Sequence, residues 1–196
     1  GIIDGAGFTI SNLTISGGTN VGFIGAASNG GNVVSNLSLA NVNITGTKNV
    51  GAVIGQVTND GKVDNCHILS GKVTATGDNV GGILGYSEGY GGVNNSSNEA
   101  EVSGASYVGG IAGHAYGSYC VNTGKVTGTG NYVGGIFAYK MWMVSGTSNN
   151  KNFGDVVGKN YVGGIAGACG QNNSYNEGTI IGEKYVGGIS GSMSLL

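Results

Sequence analysis

The residues able to do chemistry in this chain are few and scattered. Its 196 residues include 10 Asp and Glu, 8 lysines, 2 histidines and 3 cysteines, with no arginine. A glycosidase needs two carboxylates facing one bond. Glu99 and Glu101 alternate onto one strand face, and Asp155 or Glu177 could approach them only from other repeats. These acids read more simply as a solvated charge ladder. His67 and His114 lie outside any HExxH sequence, so the zinc-peptidase pattern is missing. No GxxxxGK[ST] phosphate loop occurs. Cys66, Cys120 and Cys169 match neither a disulfide framework nor a zinc pattern, and all three read as small packed residues. No catalytic residue, metal site or cofactor is expected.

Two aromatic features stand out instead. Tyr107, Tyr132, Tyr161 and Tyr185 each precede a Val-Gly pair, and Asn20, Asn49 and Asn79 take the same place earlier in the chain. Three Asn followed by four Tyr at equivalent positions predicts a column. Alternation turns each neighbouring Val inward and each Tyr outward. The resulting strip either stacks on sugar rings or enters a protein interface, or it only stiffens one corner. The second feature is the run Tyr139–Val144, which holds the only tryptophan, Trp142. It reads as an apolar contact point or as a local cap.

The elements that must position these residues come from a repeat. The motif Val-Gly, one or two small or apolar residues, an apolar residue, then Gly or Ala starts at Val21, Val50, Val80, Val108, Val133, Val162 and Val186. Successive starts are 29, 30, 28, 25, 29 and 24 residues apart. A period of this size signals a solenoid. Glycine reaches 43 residues and proline is absent, while 39% of residues are hydrophobic. That apolar share and the fixed motif argue against disorder.

Within one repeat, for example VGGIAGHAYGSYCVNTGKVTGTGNY from Val108, the apolar residues fall in three short bursts. Each is too short and too glycine-rich for a helix, and Val, Ile, Thr and Tyr favour strands. The spacing predicts an all-β, right-handed parallel β-helix (solenoid) of about seven coils, with three short strands per coil. The whole of 1–196 forms one repeat domain. Stacking of coils buries what one coil alone cannot. Three more columns follow. Lys72, Glu101, Lys125, Asp155 and Thr179 alternate in charge, which favours direct stacking. Asn98, Asn122, Asn152 and Asn176 read as turn residues able to adopt the left-handed conformation and to bond along the axis. Cys66 and Cys120 fall two coils apart, roughly 10 Å at about 4.8 Å per strand, beyond disulfide reach.

The segments DGAGFTISNLTI and SNLSLANVNITG, with the recurrent VGG(I/L)xG, resemble the GLUG-repeat family of bacterial surface and secreted proteins. The copy at Val133 departs by ending in Ala138. Members of that family occur in adhesin-like surface proteins and beside the catalytic region of IgA-cleaving metallopeptidases. The resemblance implies an extracellular or cell-surface, non-catalytic segment, and it transfers no catalytic residue. The net charge of −2 offers no basic stripe for nucleic acid. No apolar run approaches the roughly 18–20 residues of a membrane span. The chain lacks a starting Met and a signal peptide and reads as a piece of a larger protein.

The expected role is a rigid spacer or adhesive surface that presents Tyr107, Tyr132, Tyr161, Tyr185 and Trp142 to a glycan or a host or matrix protein. Open coil ends would add end-to-end self-association. The alternatives are a polysaccharide-acting β-helix enzyme and the repeat region of a larger secreted metallopeptidase.

Overall fold

The computed structural model describes residues 2–28, 30–139 and 147–193. The chain winds as an all-β parallel solenoid with four sheets, and three of those sheets hold seven strands each. One coil runs Gly61–Ile68, Gly71–Ala75, Val80–Gly81 and Leu84–Ser87, one strand for each sheet in turn. We number the sheets first to fourth in that order. Strands of successive coils pair in parallel with like on like: Val63 on Val34, Val73 on Ile44, Val80 on Val50 and Leu84 on Ile54.

Two features of the expected architecture need correction. There are four strands per coil, because the motif itself bends. Val80–Gly81 belongs to the third sheet and Leu84–Ser87 to the fourth, with Gly82 and Ile83 making the corner between them. Glycine is required at the residue just before that corner. A side chain on Gly51 would meet the carbonyls of Ile54 and Ile83 at 2.5 and 2.6 Å. At Gly109 it would run into the Ala112 carbonyl, so only a residue without Cβ lets the two backbones pass this closely. The coils are also unequal. The motif valines Val50, Val80, Val108, Val133 and Val162 are all 0% exposed, whereas Val186 is 44% exposed. About five turns are therefore closed on both sides, against the seven expected.

The core is a column of small aliphatics. Val34, Leu39, Ile44, Ile54, Ile68, Ile83, Leu84, Ile111, Ile136, Phe137 and Ile165 are fully buried. One interior column changes chemistry along the rod. Ile10, Leu39 and Ile68 stack in the first coils, and Asn98, Asn122, Asn152 and Asn176 continue the same register. Each of the first three asparagines donates from Nδ2 to the next Oδ1, at 2.9, 2.8 and 2.7 Å. The same nitrogens also donate to the carbonyls of Ala100, Gly124 and Gly154. The buried amides of Asn98, Asn122 and Asn152 thus meet their hydrogen-bonding needs within the interior.

These asparagines bond along the axis as expected, but they lie in strands and not in left-handed turns. Left-handed asparagines lie elsewhere, and one column of them sits at a bend in the first sheet: Asn36, Asn65, Asn95, Asn149 and Asn173, with Tyr119 among them, at φ between 46° and 58°. Asn65 donates to Asn36 there at 2.8 Å.

Candidate functional site

The residue before each motif valine is left-handed in all seven copies, with φ of 58°, 54°, 62°, 56°, 59°, 55° and 55° from Asn20 to Tyr185. Asparagine tolerates this conformation and tyrosine does so less readily, so something must hold the tyrosines there. In the first three coils the side chains form an amide ladder. Asn49 donates to Asn20 and Asn79 donates to Asn49, each at 2.8 Å. In the last four coils the ladder is aromatic. Tyr107–Tyr132, Tyr132–Tyr161 and Tyr161–Tyr185 stack with centroids 5.1, 4.7 and 4.6 Å apart and planes within 12°. Stacked aromatic pairs add roughly 0.5–1.5 kcal/mol beyond burial, which offsets left-handed strain of similar size.

The four tyrosines expected from sequence therefore do come together, but the stack changes what they can do. Each inner ring spends both faces on its neighbours. What reaches solvent is a row of ring edges and phenol hydroxyls at coil spacing, not a row of sugar-binding faces. Tyr107, Tyr132 and Tyr161 are half-buried, and Tyr185 at the last described coil is 61% exposed. Burial pushes the Tyr107 and Tyr132 phenols above their ordinary value, with neighbouring tyrosines adding to the effect.

A second ring column lies beside the first, on the fourth sheet. The strands there register Ala26, Gln56, Tyr86, His114, Tyr139, Ala168 and Ser192 on one another. Tyr86 stacks on His114 at 4.9 Å, and His114 meets Tyr139 at 5.7 Å. Tyr139 sits edge to face with Tyr107 and Tyr132, at 5.5 and 4.9 Å, and joins the two columns. His114 Nδ1 lies 3.2 Å from the Ser87 carbonyl, a donor's position.

The sequence carried a signal for this column: from Asn49 onward its residue follows the left-handed residue by seven positions in every coil. Glutamine, histidine, alanine and serine among its members hid the aromatic pattern. Trp142 lies outside the described residues, as do Lys140 to Gly146 around it.

The remaining chemistry-bearing residues are placed apart from this flank. Glu99 and Glu101 are both exposed, with buried Ala100 between them. Lys72 registers on Glu101, so the charge column exists as pairing predicts. His67 lies on a strand of the first sheet, with Nδ1 2.9 Å from Ser97 Oγ. Cys66 and Cys120 are free, fully buried and separated in their column by Ser96. Burial pushes their thiols up to about 11 and about 12. Cys169 is half-buried and raised to about 11 by desolvation. Among the described residues no group of three or more His, Cys, Asp or Glu is placed to hold a metal ion. None of them forms a helix long and apolar enough to cross a membrane.

No protein-family model matches the chain. Over 91 residues, 45% of its length, the chain is 42% identical to Halomucin of Haloquadratum walsbyi. It spans about 1% of that protein's length. Among solved structures it is similar to a candidate immunoglobulin A1 protease from Bacteroides ovatus, with a TM-score of 0.65 over 95% of this chain and 68% of that one. At 20% identity that likeness is one of fold.

Proposed function

We propose that this chain is a non-catalytic repeat module of a secreted or cell-surface bacterial protein, of the GLUG type. It acts as a rigid spacer whose flank adheres to a glycan or to a host or matrix protein. The observation that carries the reading is the continuous ring-bearing flank formed by the two columns, on a backbone locked by parallel ladders. Tyrosine is enriched at interfaces because one end of its ring is apolar and the other end hydrogen-bonds. Phenol edges in a regular row offer both kinds of contact to a partner lying along the rod. The match to Halomucin supports a modular role, since a short segment of a very long chain is what is shared.

The test is an array of glycans and matrix proteins probed with the chain and with the Tyr132→Asn/Tyr161→Asn variant. Asparagine occupies the same left-handed position in the first three coils, so the backbone is preserved. Retention should fall to background while the β-sheet circular dichroism signal stays unchanged. Equal retention by the variant would reject the adhesive reading.

A second reading has one observation in its favour. The fold likeness to a chain named as a candidate protease fits a repeat region that stands beside a peptidase domain in a larger secreted protein. A downstream HExxH in the full-length gene would favour it.

A further inference from the structure

The tyrosine ladder sets like atoms over like atoms. Tyr132, Tyr161 and Tyr185 each precede a valine, and those valines pair in parallel from coil to coil. The three share one backbone conformation, at φ of 59°, 55° and 55°. Tyr132–Tyr161 and Tyr161–Tyr185 stack with centroids 4.7 and 4.6 Å apart and planes 8° and 10° from parallel. Each ring is therefore close to a translated copy of the one before. The carbon ortho to one hydroxyl lies over the same carbon of the next ring, at about the centroid separation. Among the described residues no other tyrosine pair is stacked this closely: Tyr107–Tyr132 is at 5.1 Å and Tyr90–Tyr116 at 6.4 Å. Tyr139 meets Tyr107 and Tyr132 edge to face, so its carbons do not lie over theirs in this way.

We infer that Tyr132, Tyr161 and Tyr185 form an oxidative cross-linking site, at which peroxide and a haem peroxidase join neighbouring coils through a dityrosine bond. The inference is independent of the adhesive reading. Two phenols each give up one electron and the hydroxyl proton. The resulting phenoxyl radicals pair their odd electrons in a bond between two ortho carbons. The hydrogen on each bonded carbon leaves as a proton and each oxygen regains one, which restores two aromatic phenols. Peroxide takes up the two electrons and the two net protons and becomes two waters. The ladder favours this step in two ways. It holds the reacting carbons together for the short life of a radical, which replaces a chance encounter by a fixed one. It also leaves the rings room to twist as the bond forms, most of all at Tyr185, which is 61% exposed. The product supplies a tie that the chain otherwise lacks. All three cysteines are free, and the last described coil is covered on one side only, with Val186 44% exposed. Tyr161 and Tyr185 stand 24 residues apart, so a bond between them closes a loop and removes open conformations of that coil.

The test treats the dilute chain with a haem peroxidase and hydrogen peroxide, isolates the monomer and digests it with trypsin. Lys140, Lys151, Lys159 and Lys184 place the three rings in separate peptides, 126–140, 160–184 and 185–196. Mass spectrometry should find 160–184 joined to 185–196 or to 126–140, at the summed mass less two hydrogens. Tyr161→Phe keeps the ring and its stacking but forms no phenoxyl radical, and it should cut the yield of both joined pairs about tenfold or more. Tyr139→Phe and Tyr175→Phe should leave that yield unchanged. Unfolding the parent in urea before oxidation should lower it as Tyr161→Phe does. In the cross-linked monomer the amides of Lys184–Gly187 should exchange about tenfold more slowly than in the parent. The inference is overturned by the absence of joined peptides from the monomer, or by a yield that Tyr161→Phe or prior unfolding leaves intact. Unchanged exchange in the last coil would equally overturn the tie between coils.

Discussion

At the scale of single residues, the chain places side chains where their intrinsic preferences alone would not. Tyrosine at φ near 55–59° is uncommon, yet Tyr107, Tyr132, Tyr161 and Tyr185 all adopt it, because each ring is clasped by the next. The buried cysteines show the reverse case, in which packing suppresses chemistry. Reactivity needs the thiolate, and burial holds the Cys120 thiol protonated up to about 12 against an ordinary value of 9.0. A group whose folded pKa is raised gives stability that is complete below the unfolded value and is lost as pH rises towards the folded one. Alkaline titration should therefore destabilise the protein above about pH 9, on the order of 2 kcal/mol from Cys120 by pH 11. Serine already stands between the two cysteines in their own column, where Ser96 Oγ accepts from the Cys66 amide at 3.0 Å. Melting curves of a Cys66→Ser/Cys120→Ser variant should show a shallower fall between about pH 9 and pH 11 than the parent. Equal slopes would mean that the thiols titrate normally in the folded state.

At the scale of the strand and its corner, the second motif glycine and the buried asparagine form one device. A methyl on Gly110 would lie 2.5 Å from Asn122 Cγ and 2.7 Å from its Oδ1. Asn122 cannot yield, since it is hydrogen-bonded to the coils before and after it. Gly82, Gly135 and Gly164 stand in the same relation to Asn98, Asn152 and Asn176. In the coil where Ile68 replaces asparagine, the motif carries Ala52 instead. Gly110→Ala should thus cost about 2 kcal/mol through overpacking. Gly188→Ala, at the same motif position with nothing within 4 Å, should change stability by no more than a few tenths. Urea denaturation of both variants reads the difference.

The pairing also shows where sequence reasoning stops. The motif period, the inward valines and the tyrosine column could be read from spacing alone, because each depends on identity at a fixed interval. The fourth strand could not. A Gly-Gly pair is equally compatible with a strand interior and a corner, and only the carbonyls facing Gly51 and Gly109 decide between them. Asn98 and Asn122 looked like turn residues because asparagine usually is one, and their burial depends on partners a coil away. Whether the tyrosine strip stacks on sugars, enters an interface or stiffens a corner stays open from sequence, because spacing reveals a column but not its stacking angle.

At the scale of the whole molecule, stability is a sum over neighbouring coils. The middle coils lend and receive apolar surface on both sides, and the last described coil does so on one side, leaving Val186 and Ile189 at 44% and 38% exposed. Hydrogen exchange should follow that gradient. The amides of Val108, Ile111 and Val133 should exchange slowest, and those of Lys184–Gly187 should exchange with protection lower by about two orders of magnitude or more. Uniform protection along the chain would indicate a single cooperative block. The offset of seven residues between the two outer columns, kept from Asn49 onward, has a further consequence, because the spacing of successive motif copies meanwhile varies from 24 to 30 residues. Length differences are absorbed elsewhere in the circuit, so gene-level duplication or deletion of a unit would alter how far the molecule reaches without re-aiming what it shows. Reach and recognition can then evolve as independent traits.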